Sequence, residues 1–217
     1  DISSYDWLTQ MMSADRTYNL NITGGTEKLS YSASGSLFDQ DGSLINSNFK
    51  RYNGRITTKY KSDNWTIDGS LAITNEIRRR ASGGLIVTAS RYRPYFPAID
   101  PDADIAIVNS SGGTRTPAIA LGQALKRKDD SNRDRTNISL GIRRKLSKNL
   151  DFITNLGSSI TNDVRNIFRP RFDLYDVDND EIITDPTLSG VSATSTRTTK
   201  FSWDAGLAFK KQYGKKN

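Results

Sequence analysis

Leu29-Ser30-Tyr31-Ser32-Ala33-Ser34-Gly35-Ser36-Leu37 carries an apolar residue or glycine at every odd position and serine at every even one. Successive side chains of a strand point to opposite faces, so the segment has one apolar face and one hydroxyl-lined face. A soluble sheet ordinarily covers its wet face with Lys, Glu and Thr. A full face of small hydroxyls suits a wall that looks into a polar interior. The pattern alone says only that one face is wet; with the asymmetry of the links between strands, Leu29, Tyr31, Ala33 and Leu37 are expected to face lipid, and Ser30, Ser32, Ser34 and Ser36 the interior.

The same period recurs along the chain. Tyr18, Leu20 and Ile22 alternate with polar neighbours, as do Tyr52 to Tyr60, Trp65 to Ile77, Ile138 to Ile142, Leu150 to Ile160 and Phe201 to Phe209. With Leu29–Leu37 these make seven candidate strands. Most reach the roughly 9–11 residues that a tilted transmembrane strand needs.

The links between them alternate in length. Gly24–Glu27, Lys61–Asn64, Lys145–Asn149 and Gly214–Asn217 are short and rich in Gly, Asn and Lys. Asp39–Asn48 is longer, and links of about 78–135 and 162–198 are longer still. Tight turns on one side and long loops on the other are the pattern of outer-membrane barrels. The expected fold is thus all-β: an antiparallel transmembrane β-barrel segment of about seven strands with long extracellular loops. Seven strands cannot close such a barrel, because an open sheet edge has no place in lipid. The remaining strands are expected from chain beyond this segment, and both ends read as cut.

Composition narrows the function. The chain has 217 residues, no cysteine and no histidine. Disulfides, Cys-based metal sites, His ligation and Ser-His-Asp catalysis are excluded within it. An enzyme would have to work with carboxylates, lysine or tyrosine, and the carboxylates Asp68, Glu76 and Asp151 read as interior lining. No enzymatic activity is expected. No apolar run approaches the roughly 18–20 residues of a membrane helix, a test to which a barrel strand is blind. The formal net charge of +7 suits nucleic acid, anionic lipid headgroups or acidic glycans, and equally a basic surface with no dedicated partner. Lys126 to Arg135 mixes both signs without interleaved aromatics, so it reads as a solvated loop base and not as a nucleic-acid surface.

Aromatics next to turns (Tyr60 and Trp65, Phe152, Tyr213, and Phe49 with Tyr52 near a long-loop end) suit interfacial girdles. In the first long loop, Tyr92-Arg93-Pro94-Tyr95-Phe96-Pro97 either offers stacking surfaces to a sugar or peptide or packs on itself. Arg91, Arg93, Tyr95 and Phe96 are the candidate substrate contacts. Thr116–Lys126 reads as a short helix with Pro117 in its first turn, packing Ile119, Leu121 and Leu125 on the loop. Asp100–Asp104 and Asp176–Glu181 share the D-x-D-x-D spacing with which calcium loops begin. Position six is Ile105 in one and Glu181 in the other, where an EF-hand needs glycine. No cofactor is expected, and calcium stands only as a weakly supported alternative.

Several segments resemble a known family. Tyr5-Asp6-Trp7-Leu8, Tyr18 to Lys28 (YNLNITGGTEK), Phe38-Asp39-Gln40-Asp41-Gly42 and Phe49-Lys50-Arg51-Tyr52-Asn53 follow in order. Together they resemble the start of the barrel in SusC/RagA-like TonB-dependent transporters of Bacteroidota. In that family a D-W element precedes an N-L-S-V-S-G-G strand, and a Q-x-G loop leads into an F-K-R-Y-N strand. Pro94–Asp102 is similar to its P-x-Y-P-x-x-D-P loop, and Thr196–Gly214 to a closing strand.

The resemblance implies a 22-stranded barrel with an N-terminal plug and a TonB box. It also implies a SusD-like surface lipoprotein partner and uptake of oligosaccharides or peptides powered through TonB. Residues 1–217 would be a partial TonB-dependent receptor β-barrel domain in the Gram-negative outer membrane, lacking plug and TonB box. The alternative is a soluble all-β carbohydrate-binding or adhesion module, in which Leu29, Tyr31, Leu71, Trp203 and Leu207 would be core residues.

Overall fold

The computed structural model describes residues 14–93, 96, 99–100, 105–109, 113, 115–184 and 189–211. The stretches Asp1–Ser13 and Gln212–Asn217, with the readings made on them, lie outside the described residues. Seven long strands form one antiparallel sheet: β1 (Asp15–Gly25), β2 (Leu29–Asp41), β3 (Asn48–Lys61), β4 (Trp65–Arg79), β6 (Lys128–Lys145), β7 (Leu150–Arg169) and β10 (Gly190–Phe209). Neighbours in space follow this order without exception, so the sheet is a meander with β1 and β10 at its edges. The seven strands expected from alternation are the seven observed.

Register decides what the two faces look like. One row across the sheet reads Ile22–Ala33–Ile56–Leu71–Ile138–Ser158–Phe201. The adjacent row, one residue along each strand, reads Thr23–Ser32–Thr57–Ser70–Ser139–Gly157–Ser202. A slip of one residue at any pairing would mix these rows, because side chains alternate with a period of two. Six pairings hold the phase, and the result is one apolar face and one polar face.

Among the described residues no second layer covers the apolar face. Leu20, Phe201, Trp203 and Leu207 are each 65% or more exposed. Leu29, Tyr31 and Leu71 are exposed as well, so no described layer makes them a core. A soluble monomer rarely leaves so wide an apolar patch open to water. The apolar band is about 9 residues tall on several strands, from Leu29 to Leu37, Trp65 to Ile73 and Phe201 to Phe209, or about 30 Å of strand. At its turn end Arg144 lies over the Trp65 ring at 4.9 Å, an amphipathic pair suited to a band edge.

The strands run further than alternation predicts. β6 has 18 residues and β7 and β10 have 20 each, so the long links shrink to residues 80–127 and 170–189. Beyond the apolar band one face is polar and the other is mixed, with Ile77, Val164, Phe168 and Val191 set among polar neighbours. On the face that was apolar below, Asn75 Nδ2 donates to Asn132 Oδ1 (2.9 Å) and Asp134 Oδ1 (2.6 Å). The backbone ladder continues there while the hydrophobic signal thins. Lys128–Arg135 is accordingly strand, not a solvated loop base, and Asp129 within it is only 4% exposed.

The long links build a separate cap. It holds α1 (Leu85–Arg91), α2 (Arg115–Lys126) and a small sheet of β5 (Ile105–Val108), β8 (Asp173–Asp176) and β9 (Glu181–Ile183). β5 pairs with β8 in parallel, which joins the two long links to each other. All buried hydrophobics among the described residues lie here, centred on Leu85, Leu121, Val108, Phe172 and Leu174. In α2 the buried positions are Ala118, Leu121, Gly122 and Leu125, the i, i+3, i+4, i+7 stripe of a packed helix. Ile119, expected on that stripe, is half-buried at its margin. Ile45, from the link between β2 and β3, packs on the same core, and Asn46 Nδ2 donates to the Leu125 carbonyl (3.0 Å). Burial pushes the Tyr92 phenol up to about 12, so the cap core carries no charge there at neutral pH.

Gly122 is where α2 meets Phe172, and a Cβ at that position would overlap the ring. Gly122→Ala should cost the cap about 1–3 kcal/mol by overpacking. Limited proteolysis then should cut within residues 84–127 while the long sheet stays intact. Unchanged protease resistance would contradict this packing.

Candidate functional site: the polar face of the sheet

The polar phase of the seven strands forms a wall graded from small hydroxyls to charge. Near the short turns it bounds a hollow of ≈ 910 Å³ lined in part by Thr23, Ser32, Thr57 and Ser70. Lys59 and Asp68 face each other there at 3.4 Å. Hydroxyls and amides bond across strands: Ser70 and Ser139 share a hydrogen bond of 2.7 Å, and Ser159 Oγ donates to Asn137 Oδ1 (2.7 Å). Asn53 Nδ2 donates to Ser36 Oγ (2.9 Å), and Asn53 Oδ1 accepts from Thr74 Oγ1 (3.1 Å). Such cross-strand pairs hold register while leaving a smooth surface with donors and acceptors on offer.

Toward the cap the wall becomes ionic. Arg133 is held between Asp163, which accepts from two of its nitrogens, and Glu76 at 4.0 Å. One step higher, Arg165 grips Asp129 with two hydrogen bonds of 2.8 and 2.6 Å. Arg80 and Arg127 approach the same carboxylate at 3.6 Å each. Arg80 leaves β4 and Arg127 leaves α2, so this buried acid ties the cap to the strand ends.

Two Phe–Arg pairs lie beside this cluster. Phe38 pairs in register with Arg51, and Phe49 with Arg78. The Arg51 guanidinium lies 5.7 Å from the Phe38 ring centre, and that of Arg78 lies 4.8 Å from the Phe49 centre. The two rings are 5.9 Å apart. With Gln40, Arg79 and Arg80 they line a second hollow of ≈ 530 Å³. Phe49 therefore belongs to the polar face and not to an aromatic girdle, a correction that its odd number on an even-phased apolar strand already required. Tyr52 does lie on the apolar face.

The candidate contacts from the first long loop are not brought together into a pocket. Arg91 ends α1 and is exposed, and Arg93 is exposed just beyond it. Phe96 packs edge-on to the buried Tyr92 with ring centres 5.2 Å apart, as part of the cap's own core. Tyr95 lies outside the described residues. The side chains that the sequence did not bring together, and the structure does, are Phe38, Phe49, Arg51 and Arg78. Their signal was the two phenylalanines falling on the polar phase.

The acidic runs divide similarly. Of Asp100–Asp104 only Asp100 is described. In the second run Asp176 is fully buried and accepts from Arg115 Nη2 (3.0 Å), Asn179 Nδ2 (2.9 Å) and the Asp178 backbone N–H (3.1 Å). That spacing closes the β8–β9 hairpin. Among the described residues no group of three acidic side chains is placed to hold a metal ion.

No family model matches the chain, and no curated protein matches it significantly. Solved structures do. The chain is similar to one in the structure of the RagAB peptide importer in the "closed-closed" state, with a TM-score of 0.59 at 14% identity. That match covers 97% of this chain and 32% of the other. A second match, to the structure of the RagAB peptide transporter, has a TM-score of 0.53 at 13% identity over 96% of this chain and 31% of that one. The likeness is one of fold. This chain spans about a third of the length of those it matches. The all-β fold class read from alternation stands, and the likeness supports the SusC/RagA resemblance at the level of fold.

Asp129 and Asp130 give a direct test of which ion pairs matter. Asp129→Ala strands three arginines around a buried position and should destabilise the folded chain in micelles by about 2 kcal/mol. The figure is below that for fully buried pairs because Arg165 is partly exposed. Asp130→Ala removes an exposed pair with Arg79 and should cost under about 1 kcal/mol. Equal losses in urea unfolding would contradict the assignment.

Proposed function

We propose that this chain forms part of the wall of an outer-membrane transporter that imports peptides or oligosaccharides. The observation that carries the reading is the division of one sheet into a continuous apolar face and a continuous hydroxyl and ionic face. About 30 Å of strand tilted by roughly 40° gives an apolar band some 23 Å tall, close to the ~25 Å of outer-membrane barrels. In this reading lipid covers the apolar face, the polar face lines the passage, the short turns lie in the periplasm and the cap stands outside the cell. The alternative of a soluble binding module finds less support, because Trp203 and Leu207 are exposed and not core.

Transport, not catalysis, is the activity proposed. A hydroxyl-lined wall offers many weak and interchangeable hydrogen bonds, which lets a polar solute pass without being trapped. Arg91 and Arg93 on the cap, with Tyr95 and Phe96, are proposed contacts at the entrance. A SusD-like surface lipoprotein would work at the cap, and TonB would supply energy through a plug and TonB box on other parts of the protein. The likeness to a chain of a peptide importer supports this reading, and peptides within it.

Uptake by cells expressing the full-length protein tests the proposal. Fluorescent oligopeptides should accumulate, accumulation should stop when a protonophore collapses the inner-membrane potential, and a surface lipoprotein should co-purify. A protein that fractionates as soluble, or uptake indifferent to the protonophore, would overturn it.

A further inference from the structure

The arginines near the cap end of the polar face are not equivalent. Arg133 is engaged by Asp163 and Glu76, Arg165 by Asp129, and Arg80 by Ser131 (3.1 Å) and Asp129. Arg51 and Arg78 differ. Each is exposed, stacks on a phenylalanine, and has no carboxylate within 4 Å among the described residues. Glu76 pairs with Arg51 in register, yet its carboxylate lies toward Arg133. The hollow that Arg51 and Arg78 share is lined by Arg51, Arg78, Arg79 and Arg80 and, among the described residues, by no acidic side chain.

We propose that Arg51 and Arg78, seated on Phe38 and Phe49, form a subsite that binds a carboxylate of the transported ligand. The proposal rests on the polar face being a transport passage and adds the chemical class that the passage selects. A ring beneath a guanidinium fixes its plane and shields one face from water. The in-plane N–H groups remain free for a two-pronged hydrogen bond to a carboxylate. Two such stacks side by side favour ligands carrying more than one acid. The carboxylate can come from Asp or Glu of a peptide or from a uronic acid of a glycan, since both present the same planar anion.

The test uses the full-length protein in micelles and isothermal titration. The probes are a blocked hexapeptide with two glutamates, its glutamine analogue, and trigalacturonate. The parent should prefer the glutamate peptide or trigalacturonate over the neutral peptide, and whichever binds names the source of the carboxylate. R51Q/R78Q should weaken that acidic probe at least about tenfold and leave the neutral peptide unchanged. R51K/R78K should restore only part of the loss, because lysine keeps the charge and loses the fork.

Equal affinity for charged and neutral probes, or an acidic probe indifferent to R51Q/R78Q, overturns the proposal. So does a fall in melting temperature of R51Q/R78Q without any change in binding, which would assign the two arginines to an acid elsewhere in the protein. Heat-modifiable migration and insertion into vesicles are measured on the same samples. Failure there strikes the reading of the sheet as a membrane wall, separately from the subsite.

Discussion

Phase-locked pairing of seven strands is the constraint on which everything else in this molecule rests. Each interstrand register matches an apolar phase to an apolar phase, although that phase falls on even numbers in β1, β3, β6 and β7 and on odd numbers in β2, β4 and β10. One slipped pairing would place serine and threonine on the apolar face for all strands beyond it. The cross-strand bonds between Asn53, Ser36 and Thr74 and between Ser70 and Ser139 work against such a slip from the polar side. The sheet thus has no buried core of its own and draws its order from backbone ladders, register and its surroundings.

Among the described residues the buried hydrophobics all lie in the cap. There, small residues permit close packing, as where Gly122 admits Phe172, and a parallel β5–β8 pair stitches together two links that are far apart in sequence. Asp129 joins this compact unit to the strand ends by collecting Arg165 from β7, Arg80 from the end of β4 and Arg127 from the end of α2. The cap is thereby tied to the strand ends beside the ion pairs of Arg133 and Arg165.

How far the sequence could be read follows the physics of each segment. Within the apolar band every second residue reports its face, so strands such as Trp65–Ile77 and Phe201–Phe209 were legible. Above the band apolar residues are sparse, with Val164, Phe168 and Val191 set among polar neighbours, so Lys128–Arg135, Asn162–Arg169 and Gly190–Lys200 show no sustained period even though their backbones remain in the ladder. Phe38 and Phe49 were visible as aromatics, but their role depended on parity: each sits on the polar phase and meets an arginine across the strand. The Tyr92–Pro97 segment left open in sequence whether its rings meet a ligand or each other, and the structure packs Phe96 on Tyr92. The parallel pairing of β5 with β8 had no local signal, since it depends on a contact between segments more than sixty residues apart.

The two-faced sheet is open to a direct physical measurement, helped by the absence of cysteine from these 217 residues. Single-cysteine spin labels placed in turn along Gly69–Ile73 of β4 and Phe201–Leu207 of β10, in the full-length protein in lipid vesicles, report collisions with oxygen and with a water-soluble nickel chelate. Labels at Leu71, Ile73, Phe201, Ala205 and Leu207 should favour oxygen, and labels at Ser70, Ala72, Ser202 and Asp204 should not, giving a period of two in both strands. A flat profile, or nickel reaching Leu71 and Phe201 as readily as Ser70 and Ser202, would contradict a lipid-facing apolar face.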